Sequence, residues 1–121
     1  MTLSNVSNFF HAHRNFNGDS EPAKAFEICR RNNYCPFLRE GKLYICAIPA
    51  VAHYCNSHFG TKLLHTGYID IYSHHLTAKK VLKFLDQPSD VCRFCSYDFP
   101  QFEWSISKKK KQEWDASCNR N

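Results

Sequence analysis

Seven cysteines, Cys29, Cys35, Cys46, Cys55, Cys92, Cys95 and Cys118, set the chemistry open to this chain of 121 residues. Cys92-Arg-Phe-Cys95 is a Cys-x2-Cys pair, set in a run of aromatics. In a tight turn such a pair leaves both thiols on one side of the backbone. There they can grip a metal, work as a redox couple, or fill a small core. A redox couple of the thioredoxin kind needs its first cysteine at a helix N-terminus after a strand, where the dipole lowers the thiol pKa. Here the pair follows "QPSDV" and runs into "SYDFPQF", which is the wrong setting.

A metal needs two further ligands, and no second Cys-x2-Cys exists to make a zinc ribbon. The remaining thiols cluster half a chain upstream. Cys46 ends the run "YCPFLREGKLYIC", which also holds Cys35, and Cys29 lies just before it. Cys29 and Cys35 each read equally well as buried hydrophobes. Cys55 falls on the apolar face of an amphipathic segment and reads as a small core residue; Cys118 sits in a polar tail. His74 and His75 are adjacent and point apart, and His53 and His58 have no partner pair, so no histidine is taken as a ligand. The candidate metal ligands are Cys29, Cys35, Cys46, Cys92 and Cys95.

Several local elements must position these thiols. Pro22 after Ser20 and Glu21 suits a first helical turn, and the spacing predicts a short helix ending near Asn32. "REGK" between apolar runs predicts a hairpin over 34–46, with Gly41 at the turn, that sets Cys35 opposite Cys46. Ile48, Val51, Cys55 and Phe59 repeat at helical spacing, with Pro49 in the first turn and Gly60 as the stop. "GYIDIYS" alternates as a strand does. Thr77 caps a helix carrying Val81, Leu82 and Leu85, and Pro88 lies beyond its end. A last helix through "SKKKKQEWDA", capped by Ser107, is weakened by four lysines opposing the dipole in its first turn. The sum is a small α+β domain: a hairpin-based sheet of two or three strands and two or three amphipathic helices. Residues 1–21 read as a leading segment, 22–115 as the domain and 116–121 as a polar tail.

Composition narrows the classes. The net charge of +5 owes four of its charges to Lys108–Lys111, a run that reads as a solvated face. With Trp104 and Trp114 as stacking residues this run offers a nucleic-acid reading, but no basic face elsewhere supports it. No stretch is long and apolar enough for a membrane span, and the first residues lack the pattern of a secretory signal. A cytoplasmic, reducing location follows as the expectation. It favours metal ligation over disulfides for this density of cysteine.

"CPFLREGKLYIC", "HFGTKL", "GYIDIY", "VCRFCSYDF" and "EWSISKKKKQEW" together resemble the C-terminal auxiliary iron–sulfur domain, of SPASM or twitch type, of radical SAM enzymes. The resemblance covers roughly 26–115. It rests on Gly41-x4-Cys46 followed by Cys92-x2-Cys95, with Cys29 or Cys35 as the leading cysteine. It implies a 4Fe–4S cluster held by Cys46, Cys92, Cys95 and one of Cys29 or Cys35, shielded by Tyr44, Phe94, Phe99 and Phe102. It further implies an electron-relaying or substrate-positioning role beside a radical SAM catalytic core, in cis or in trans. The core itself is missing. No Cys-x3-Cys-x2-Cys loop exists, and 121 residues cannot contain a barrel that takes about 200. The chain therefore looks like the accessory domain alone, from a truncated gene, a fragment or a split protein. It carries no S-adenosylmethionine site, no catalysis is expected from it alone, and Trp104 and Trp114 read as core or as packing meant for the barrel. A structural zinc module for protein contacts is the alternative, since four thiolates suit both metals.

Overall fold

Glu40 and Gly41 both take left-handed φ angles, 51° and 73°. Two such residues in succession make the turn whose twist matches a right-twisted strand pair. It joins β2 (Phe37–Arg39) to β3 (Lys42–Tyr44) in the antiparallel register Phe37↔Tyr44, Leu38↔Leu43 and Arg39↔Lys42. A Cβ on Gly41 would come within 2.6 Å of the ring of Tyr72, an exposed side chain that can swing aside, so it is φ that calls for glycine here. β4 (Tyr68–Asp70) adds to the other edge of β3, giving a three-stranded sheet in the order β2-β3-β4.

The computed structural model describes residues 8–29 and 35–116. A second, two-stranded sheet pairs β1 (Asn8–Phe10) with β5 (Gln101–Glu103), strands more than ninety positions apart. Three helices complete a small α+β fold. α1 runs over Pro22–Ile28, α2 over Ala47–Phe59 and α3 over Ala78–Leu85. α2 lies against β2 and β3, and α1 packs on a 3₁₀ turn at Asp90–Phe94 that carries Cys92.

α2 follows its sequence closely: Gly60 takes φ 67° and its N–H bonds Asn56 O at 2.9 Å, closing the helix. Its fully buried side is Pro49, Ala50 and Ala52, while Ile48, Val51, Cys55 and Phe59 are half-buried and line a cavity of about 650 Å³. α1 stops at Ile28, short of Asn32, which lies outside the described residues. Cys29 leaves the helix in an extended conformation, its N–H reaching Phe26 O at 3.2 Å. α3 begins at the Thr77 cap, whose side chain accepts from Lys80 N at 3.2 Å. None of its residues is buried, and Leu82 is 68% exposed.

The helix expected over the lysines does not form. A single 3₁₀ turn occupies Lys111–Glu113. The Glu113 carboxylate accepts instead from Lys108 N (2.7 Å), Ser107 Oγ (2.7 Å) and Lys110 N (3.2 Å), so it stitches a loop. Four cations at a helix N-terminus would face the positive end of its dipole, whereas a loop folded on one carboxylate does not. Trp104 and Trp114 are not core: they are 67% and 51% exposed. Among the described residues no helix is long and apolar enough to cross a membrane.

Candidate metal centre

Three separate parts of the chain deliver thiols to one place. α1 ends so that Cys29 follows its last turn, Cys46 is the N-cap of α2, and the 3₁₀ turn with its C-cap supplies Cys92 and Cys95. All four line a single cavity of about 40 Å³, whose other walls are Ala25, Phe26, Ile45, Ile48 and Val91. Among the described residues, buried Ala25, Ile45, Val91 and Cys92 belong to this wall, so part of the core lies around the cysteines. A space larger than one water, apolar except for sulfur, offers water too few partners to be held.

Two of the four thiols have raised pKa values. Burial pushes the Cys46 thiol up to about 11, and the neighbouring Cys95 and Cys92 push the same way. The N–H of Ile48, in the first turn of α2, and the charge of Arg14 oppose this. Cys92 is likewise raised, first by burial and then by Cys95 and Cys29, against a backbone hydrogen bond from Ser89. Burial and neighbouring thiols thus favour the protonated form of Cys46 and Cys92, a preference that a bound cation would reverse.

The turn bearing Cys92 and Cys95 is held by the N-terminal segment. Asn15 N donates to Phe94 O (2.8 Å), Ser20 N to Arg93 O (3.1 Å) and Ser20 Oγ to Cys95 O (2.6 Å). Gly18, at φ 68°, lies close against the Phe94 ring, which a Cβ would approach to 2.7 Å. Arg14 makes the most direct contact. Its Nη1 donates to Cys95 Sγ at 3.2 Å, while Nε and Nη2 both donate to Ala12 O.

Of the five candidate ligands, Cys29, Cys46, Cys92 and Cys95 are brought together. Cys35 is exposed and is not part of the cavity wall. The hairpin closes in the anticipated register, but the ladder ends at Phe37↔Tyr44. Beyond it Cys46 turns into α2, and Cys35 does not follow. Cys55 lies on the larger cavity, where Thr61 Oγ1 donates to its sulfur at 3.6 Å. Cys118 lies outside the described residues. The side chains closing the thiol cavity are Phe26, Ile45, Ile48 and Val91; Tyr44, Phe94, Phe99 and Phe102 are not among them. Sequence spacing also missed Arg14, an ordinary basic residue in a segment with no periodicity. No local signal marks it, because its partner lies 81 positions away.

Among the described residues, no group of three or more His, Cys, Asp or Glu side chains is placed to hold a metal ion. The four thiols surround a common space without converging on a point. The chain matches no family model, no curated protein and no solved structure.

Proposed function

We propose that this chain is a 4Fe–4S cluster-binding accessory domain that works beside a radical SAM catalytic core, in cis or in trans, and is not catalytic alone. The observation that supports the reading is that Cys29, Cys46, Cys92 and Cys95 all line one apolar cavity. Four thiolates are the usual shell of a cubane, and the order of the cysteines along the chain agrees with the auxiliary-domain resemblance. Bound there, the cluster would supply one-electron transfer.

The residues of the chain do the rest. Cys29 in place of Cys35 completes the ligand set, which leaves Cys35 outside it. Phe26, Ile45, Ile48 and Val91 keep water from the sulfurs, and the amide of Ile48 offers a donor to Cys46. With four cysteine ligands no iron is left open, which favours an electron relay over substrate positioning. Four thiolates would suit a single zinc ion as well, and the resemblance is what favours the cluster.

The test is the absorption spectrum of the chain after anaerobic incubation with iron, sulfide and an equal amount of zinc. A brown protein with broad visible absorbance that bleaches with dithionite is the expected result. A colourless protein carrying one zinc would replace the proposal with a structural zinc module.

A further inference from the structure

We propose that the cavity of about 650 Å³ lined by α2 and residues 10–14 is a binding site for a small aromatic carboxylate. The proposal does not rest on the cluster reading: among the described residues the two cavities share Ile48 and no other lining side chain. A cleft of about 300–1,000 Å³, walled by apolar side chains with a few polar groups among them, is the usual site of a small organic ligand.

The walls select the body of the ligand. α2 contributes Ile48, Val51, Cys55 and Phe59, each of which keeps part of its surface open. A second wall is made of rings. Phe102 of β5 stacks on His11 with centroids 3.7 Å apart, and His11 stacks on His13 at 4.2 Å, both pairs with 19° between their planes. Burial holds the pKa of each imidazole below 6.5, so at neutral pH the two rings are uncharged. Trp114, 51% exposed, adds another ring at the same cavity. A flat aromatic body gains stacking contacts from such rings beyond the area it buries.

Charge selects the head. Arg14, Lys109 and Glu113 line the cavity. The Glu113 carboxylate already accepts from the amide of Lys108, from Ser107 Oγ and from the amide of Lys110, which hold its pKa below the usual carboxylate range. The Arg14 fork is committed to Ala12 O and Cys95 Sγ. Lys109 is the cation offered to a ligand. It sits at a left-handed φ of 57°, with its N–H on Ser107 Oγ at 3.0 Å. A lysine does not choose that region by itself, so its place on the cavity is set by the loop that Glu113 holds. Two cations against one occupied carboxylate suit the cavity to a single negative charge.

The test is a nitrogen–proton correlation spectrum of the full chain, titrated with naphthoate and in parallel with uncharged naphthamide. Both probes should give saturable shifts confined to residues 10–14, α2 and residues 107–114, with naphthoate bound the more tightly. Lys109→Gln should weaken naphthoate roughly two- to fivefold, as for an exposed ion pair, and leave naphthamide unchanged. Val51→Trp, which fills the cavity, should abolish binding of both. No saturable shift, or shifts spread beyond these segments, would overturn the proposal. So would a Lys109→Gln variant that binds naphthoate as wild type does, or that loses both probes equally. Concentration-dependent shifts at these residues without any probe would make the face a contact between copies of the chain, and overturn it as well. Should Val51→Trp fail to fold, Lys109→Gln, at an exposed position, decides the matter alone. Iron content has no part in the readout, so a failure here leaves the cluster reading standing.

Discussion

Cys29 and Cys35 lie six positions apart and meet different surroundings. Cys29 follows α1 into the thiol cavity and Cys35 faces solvent. Replacing Cys29 with Ala should therefore remove most of the bound iron, and Cys35→Ala or Cys55→Ala should leave it unchanged, as read by iron content after reconstitution. Choosing between the two from sequence was impossible, because both fitted a leading cysteine and only the end of the β2–β3 ladder separates them. His13 makes a second prediction at this scale. It is 5% exposed and stacked on His11, with ring centroids 4.2 Å apart. Burial first, then the positive charges of His11 and Arg14, hold its pKa below the usual 6.5, against Asp115 which pulls it up. An unfolded chain thus takes up the proton before the folded one does. Stability should be full above about pH 6.5 and should fall as the pH drops below it. Urea midpoints measured at about pH 7.5 and about pH 5.5 should show this fall, and His13→Gln should reduce it.

At the scale of elements, the cysteine turn depends on a glycine in a distant segment. Gly18→Ala places a methyl group against the Phe94 ring at a position with φ 68°. Phe94 stands between the two cysteines of the pair, so the variant should bind less iron as well as unfold at lower temperature. Thr77→Ala is the contrast. It removes the bond to Lys80 N on a helix with no buried residue. The expected loss is about 1 kcal/mol in local helix stability, seen as faster amide exchange in α3, with iron content unchanged. These elements also divide by how legible they were. The hairpin, α2 with its Gly60 stop and the Thr77 cap announced themselves, because turn chemistry and capping act between residues a few positions apart. The β1–β5 pairing and the contacts of residues 13–20 with residues 93–97 did not, since nothing local to Asn8–Phe10 or Arg14 points to a partner across the chain. The lysine-rich segment misled for a related reason: Glu113 captures the amides of Lys108 and Lys110 in a loop that helical periodicity cannot describe.

Over the whole molecule, the thiol cavity and the core overlap: among the described residues, buried Ala25, Ile45, Val91 and Cys92 wall the cavity, and its four cysteines come from three separate regions of the chain. A bound cluster would tie these regions together, so loading should raise the thermal midpoint of the chain, and chelation of the iron should lower it again. Tyr54, Trp104 and Trp114 remain 59%, 67% and 51% exposed. The measurement that bears most directly on this account is the count of iron, sulfide and zinc per chain after anaerobic reconstitution. It is to be made on the wild type and on the Cys92→Ala/Cys95→Ala variant. The account predicts about four iron and about four sulfide in the wild type, lost in the variant. One zinc per chain, or no metal in either protein, would contradict it.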